Sequence, residues 1–200
     1  MKYIIFITIS IVVIFVLGFI YRVYKSSNSS DLETPDYTVI KKEKSIEIRS
    51  YQSFMIATTN YNGEYRKSMN NSFRRLASYI FGNNQDSQKI AMTAPVLSEY
   101  DTENSDLKFS FMVPSKFNED NLPVPNDNNI AFKKIPNRTL GVIRFGGYAN
   151  LKDMQKKGQK LKDWLNEKGY KYDSEPIYLY YNPPYVPFNR RNEVAFIIKD

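Results

Sequence analysis

Apolar positions along this chain change their period several times, and each change marks an element. Tyr3 to Tyr21 carry no charge and are mostly Ile, Val and Phe, broken by Thr8, Ser10 and Gly18. At ~1.5 Å of rise per residue, such a helix reaches roughly the ~30 Å hydrocarbon thickness of a bilayer. This predicts an N-terminal transmembrane anchor over residues 1–25, with Tyr21 and Tyr24 at the interface and Arg22 and Lys25 among the headgroups. A cleaved secretory signal is the competing reading. Its apolar region is shorter and ends in a small-residue cleavage site, which Phe19-Ile20-Tyr21-Arg22-Val23-Tyr24 does not offer. Residues 26–35 are polar and aperiodic, the composition of a linker.

From Asp36 the pattern is that of a folded domain over residues 36–200. Tyr37 to Ile40 and Ile46 to Ile48 alternate around a charged turn and predict a hairpin; Phe54 to Tyr61 predicts a third strand, closed by Asn62-Gly63. Tyr65, Met69, Phe73, Leu76, Ala77 and Ile80 then recur at three- and four-residue intervals, an amphipathic helix ending at Gly82. Strands are expected at Ile90 to Glu99 and Leu107 to Val113. A long loop should follow, because residues 115–129 hold two prolines and five asparagines without any period. Strands at 130–135 and 139–145, a helix from Leu151 to Gly169 and strands at 177–181 and 194–198 complete the series.

The second half replays the first, with Tyr61 aligned on Tyr148 and Gly82 on Gly169 at an offset of about 87 residues. Two such units predict an α+β fold in which a curved, mostly antiparallel sheet carries two helices related by an approximate two-fold.

Composition narrows the chemistry. The chain is 42% hydrophobic and 24% charged, an ordinary globular profile, and has neither cysteine nor histidine. Thiolate chemistry is excluded, and so are the commonest general base and the usual axial ligand of heme iron. No Gly-x-Ser-x-Gly and no phosphate-binding loop follows any predicted strand, so neither hydrolysis nor nucleotide binding has a motif behind it. Asp101, Glu103 and Asp106 are the densest acidic group and read as solvated turn residues, not a metal site. Net charge is +7, of which Lys2, Arg22 and Lys25 supply three, leaving +4 for the remainder. That balance is weak evidence for nucleic acid and equally compatible with an anionic membrane surface. The positive-inside count is close to a tie, so the side faced by the domain stays open, with a slight lean to the extracytoplasmic side.

Four motifs stand in register: Lys89-Ile90-Ala91-Met92-Thr93-Ala94-Pro95-Val96, Phe111-Met112-Val113-Pro114-Ser115, Phe145-Gly146-Gly147-Tyr148, and Tyr181-Asn182-Pro183-Pro184 followed by Arg190-Arg191-Asn192-Glu193. Over roughly residues 36 to 199 the chain resembles the SOUL heme-binding protein family. The resemblance implies a distorted antiparallel β-barrel with two helices, of the type shared with bacterial effector-binding domains. It also implies a non-covalent heme or related tetrapyrrole in a hydrophobic cleft beside the first helix, carried over here to Arg66, Met69, Phe73 and their neighbours.

The residues of that helix make chemical sense for such a ligand. Tyr65, Met69, Phe73 and Ile80 share a face that would take the flat macrocycle, and Arg66 and Arg75 flank it as partners for two propionates. Core packing of the same stripe is the plain alternative. Without imidazole, iron would be held by Tyr phenolate, Met thioether or Lys amine, or by nothing; Tyr65 and Met69 are the first ligands to test. Met92 to Pro95 suits a bend in the sheet, and Arg190, Arg191 and Glu193 suit an ion-pair network, with Asn192 bonding a turn backbone. The expected function is a membrane-tethered carrier, buffer or sensor of a tetrapyrrole, without turnover. A non-heme effector-binding or protein-interaction module of the same fold is the alternative, and tetrapyrrole modification, which needs acid groups over the ring, is a third class.

Overall fold

The computed structural model describes Ile14, Leu17, Gly18, residues 32–183, Val186 and residues 188–199. The anchor predicted over residues 1–25 lies outside the described residues save for Ile14, Leu17 and Gly18; among the described residues no helix is long and apolar enough to cross a membrane.

From residue 37 on, eleven elements follow one another among the described residues: β1 Tyr37–Glu43, β2 Ile46–Tyr51, β3 Phe54–Asn62, α1 Tyr65–Ile80, β4 Val96–Asp101, β5 Asp106–Met112, β6 Ala131–Ile135, β7 Arg138–Phe145, α2 Leu151–Glu167, β8 Ile177–Tyr180 and β9 Asn192–Ile197. The predicted strand at Ile90 to Glu99 is shorter than expected. Ile90 instead donates its N–H to the carbonyl of Ile80, tying the returning chain to the end of α1, and Pro95 has no N–H to give a ladder. Strand geometry begins only at Val96.

All pairings between these strands are antiparallel, in the order β1-β2-β7-β9-β8-β4-β5-β3-β6. With β1 set aside, exchanging β2, β3, β4 and β5 for β6, β7, β8 and β9 turns this order into its own reverse. The repeat is therefore carried by topology, with its axis at the β4–β8 pairing of Leu97 with Leu179. The sheet curls without closing, because β1 and β6 remain as edges; the expected barrel is a half-barrel.

Both helices cover one face of this sheet, α1 over β3 and β5 and α2 over β7 and β9. Leu76 and Tyr79 of α1 pack on Leu107 and Phe109 of the sheet, and Met154, Leu161 and Leu165 of α2 on Val194 and Phe196. Residues of opposite parity, among them Leu97, Val142, Leu179 and Ala195, form a third core on the other face. Glu64 caps α1 by accepting from the N–H groups of Arg66 and Lys67, and Asn150 and Asp153 form a reciprocal capping box on α2. Gly82 and Gly169, the aligned pair of the repeat, end the helices at φ +110° and +75°.

Gly158 sits mid-helix in α2, where a β-carbon would meet Val194 Cγ1 at 3.5 Å and Phe196 Cζ at 3.8 Å, ordinary contact distances. Gly158→Ala is expected to raise stability by about 0.5–1 kcal/mol, since the helix gains propensity without a clash. A higher urea midpoint at unchanged slope is the check.

Candidate functional site

Helix α1 sorts the six candidate residues by where its faces point. Ile80, 6% exposed, belongs to the core and is no wall for a ligand. Arg75 faces away from the open edge of the helix. Its Nε donates to Asp127 Oδ2 at 2.8 Å and a terminal nitrogen donates to Thr59 Oγ1 at 3.0 Å. Asp127 itself sits below the usual carboxylate range, held there first by hydrogen bonds from Asn129. Arg75 thus staples the long loop to the sheet.

Arg66, Met69 and Phe73 do share an edge, as their spacing of three, four and seven residues requires. Arg66 is exposed, Met69 half-buried against the core, and Phe73 44% exposed with its ring edge-on to Phe111 at 5.5 Å. Two further apolar side chains stand open where the helix ends: Phe81, 61% exposed, and Met92, 52% exposed, two residues after the Ile90 tie. Sequence reasoning assigned Met92 to a bend and passed over Phe81. An apolar residue directly before the helix-ending Gly82 was the available signal.

Tyr65 is half-buried at the other end. Its hydroxyl lies 2.6 Å from the Tyr180 hydroxyl and 3.4 Å from Ser98 Oγ, on strands β8 and β4 beside the two-fold axis. Burial pushes the Tyr65 phenol up, and the same desolvation acts on Tyr180. Phenolate is disfavoured at this position. The pair therefore welds α1 to the centre of the sheet.

The C-terminal signature does structural work. Glu193, wholly buried, accepts from both terminal nitrogens of Arg49 at 2.8 and 3.0 Å, from Arg191 Nε at 2.9 Å and from the Tyr181 hydroxyl at 3.1 Å. Asn192 donates to the carbonyl of Gly147 at 2.8 Å, as expected of a turn contact. Arg190 differs from expectation: it donates to the carbonyls of Pro183 and Val186 at 2.7 and 2.8 Å, holding the β8–β9 loop in place of an ion pair with Glu193. Thr93, in the octapeptide, donates to the carbonyl of Met112 at 2.7 Å. Asp101 and Asp106 close the β4–β5 hairpin, and no acidic cluster among the described residues could hold a metal.

The family model described as SOUL heme-binding protein matches residues 32–197. The chain belongs to the SOUL heme-binding protein family. Heme-binding protein 1 of Xenopus laevis is 33% identical over 168 residues, covering 80% of this chain and 88% of that protein. Heme-binding protein 2 of Homo sapiens is 30% identical over 163 residues, covering 78% and 79%. Among solved structures, the EcmrR C-terminal domain superposes with a TM-score of 0.59 at 17% identity, covering 82% of this SOUL chain and 98% of that one. A hydrolase from Listeria innocua superposes with a TM-score of 0.55 at 7% identity, covering 80% and 94%. At these identities the likeness is one of fold alone.

Against the chemistry of heme, the SOUL domain fits by surface, and of the two first ligands to test for iron only the Met69 thioether stands on the Arg66–Phe73 edge. The Met69–Phe73 edge offers an apolar face and Arg66 one guanidinium for a carboxylate. The chain has no imidazole or thiolate, and the Tyr65 hydroxyl is engaged by Tyr180 and Ser98.

Proposed function

We propose that this SOUL protein binds heme or a related tetrapyrrole along the Arg66–Met69–Phe73 edge of α1, as a carrier, buffer or sensor and not as an enzyme. The observation that carries the reading is the exposed apolar edge beside Arg66, in a chain whose relatives are named for heme binding. Phe73 and Met69 would hold one face of the macrocycle, Arg66 would take a propionate, and Phe81 and Met92 would extend the apolar surface at the far end of the helix. When bound, heme would supply its iron to an environment with no strong protein ligand. A tether through Tyr3 to Tyr21 is part of the proposal, supported by the uncharged run in the sequence. It would hold the domain where a ligand that partitions into bilayers is concentrated.

Titration with hemin tests the reading. Saturable one-to-one binding is the expected result. Featureless partitioning would overturn it and favour an effector-binding or protein-interaction module of the same fold. Membrane fractionation of the full chain tests the tether, and recovery in the soluble fraction would remove it.

A further inference from the structure

Charge is segregated in this domain. Helix α1 holds four basic residues and no acidic one, and α2 holds five lysines against three acidic residues, so the two helices together carry +6. The chain after residue 25 carries +4 in all, which leaves everything outside the helices at −2. Of the nine helical cations, only Arg75 has an ion-pair partner among the described residues. Lys152, Lys156 and Lys160 are exposed and stand four residues apart, one above the other on the outer side of α2. Like charges at that spacing destabilise a helix, and no acidic residue lies four positions from any of them. Folding alone gives no reason for the pattern.

Both helices cover the same face of the sheet, so the pseudo-two-fold that exchanges them runs normal to it; an in-plane axis would put them on opposite faces. A flat surface laid across that axis meets the outer sides of both. Apolar groups stand exposed among the cations there, Phe73 and Phe81 at α1 and Tyr148 two residues before the α2 cap. The entering arm arrives beside this face as well. Glu33 pairs with Thr93, next to the exposed Met92, so the segment that follows the uncharged run Tyr3 to Tyr21 joins the domain close to the end of α1.

We propose that the helix-bearing face is a docking surface for an anionic lipid bilayer, with Lys67, Lys152, Lys156 and Lys160 at the headgroups and Phe73 and Phe81 reaching the apolar boundary beneath them. Nucleic acid is the other common polyanion. It is read by an element that enters a groove or by bases stacked in a channel, whereas these cations are spread over two helices that lie on a sheet. The proposal goes beyond the tetrapyrrole reading and does not rest on it, since the contact needs no heme.

The chain has no cysteine, so one introduced at Asn70 on α1, at Gln155 on α2 or at Lys133, which pairs with Ile56 on the face without helices, carries a fluorophore at a single known place. The full chain so labelled, without heme, is mixed with vesicles of phosphatidylcholine, or of phosphatidylcholine with phosphatidylserine, that contain a nitroxide lipid as a short-range quencher. The Asn70→Cys and Gln155→Cys labels should be quenched by the anionic vesicles and not by the neutral ones, and the Lys133→Cys label by neither. Lys152→Gln/Lys156→Gln/Lys160→Gln should need about tenfold more anionic lipid for the same quenching, and added salt should reverse it. A tether alone would bring the chain to both kinds of vesicle alike, so equal quenching in the two overturns the docking face and leaves the tether standing. Absence of quenching, equal quenching of all three labels, or an unchanged lipid requirement in the triple variant overturns it as well. Short duplex DNA that binds where the vesicles do not would assign the face to nucleic acid instead.

Discussion

Glu193→Ala is expected to cost about 3–5 kcal/mol of folding stability, the penalty for breaking a buried ion pair by removing one partner. The carboxylate is wholly buried and Arg49 is 2% exposed. Truncation leaves the buried Arg49 guanidinium beside that of Arg191 without their shared carboxylate, and an arginine cannot shed its proton to escape. Burial works against the charge of Arg49, and the Glu193 carboxylate more than restores it. Glu47, 2.8 Å from Arg49 Nε, and the Tyr51 hydroxyl would be the remaining partners, and Glu47 is already shared with Lys42. Domains of this size are stable by about 5–15 kcal/mol, so the loss is a large share of the total. Urea unfolding reads it directly, and a shift worth less than about 1 kcal/mol would mean that water reaches these charges. Acid should loosen the same network. Burial alone raises the Glu47 carboxyl, but its bonds to Lys42 and Arg49 outweigh that and hold it below its ordinary value. A folded pKa under the unfolded one gives stability that is present at neutral pH. It is lost as pH falls from the ordinary glutamate value near ~4.3 down through the folded value.

That network shows where the sequence was legible and where it was not. Arg191 and Glu193 are two residues apart on one strand and Asn192 lies between them, so a local pattern could announce an ion pair and a turn contact. Arg49 could not be found that way, because it arrives from β2, 144 residues earlier. Arg75 repeats the lesson. Helical spacing correctly put it at the margin of the apolar face of α1, but Asp127, on the aperiodic loop, decides what that margin does. The helices themselves were plain, since a 3.6-residue period bounded by Gly82 and Gly169 admits little else. Ile90 to Pro95 misled as strand because β-branched residues fit a strand by composition; the hydrogen bond that tethers Ile90 to Ile80 is invisible in one dimension. The pseudo-two-fold was faint in residue identity and is complete in strand order, because topology depends on the lengths and sequence of elements and tolerates exchange of their side chains.

Phe73→Asp is expected to weaken hemin binding by more than tenfold. Covering the 44% of Phe73 that is still exposed contributes on the order of 1 kcal/mol, about half the value for a whole side chain, and repulsion between the new carboxylate and the propionates carries the loss past the roughly 1.4 kcal/mol that is a factor of ten. Phe73→Leu, which keeps an apolar surface against Phe111, should lose much less, and this separates loss of the site from loss of the fold. Arg66→Ala should weaken binding about threefold and flatten its salt dependence, the effect of one exposed charge. Arg75→Ala should do the opposite of what its place in the sequence suggests: it leaves hemin binding unchanged and lowers stability instead, because its partners are Asp127 and Thr59. Tyr65→Phe should leave the Soret band unchanged, since the phenol is held by Tyr180 and burial disfavours its ionised form. Metal-free protoporphyrin should then bind about as well as hemin, because neither histidine nor cysteine is present to reward the iron. Equal hemin affinity in Phe73→Asp and Arg66→Ala would move the ligand off α1. A Soret shift in Tyr65→Phe would show that bound heme draws Tyr65 out of its bond to Tyr180.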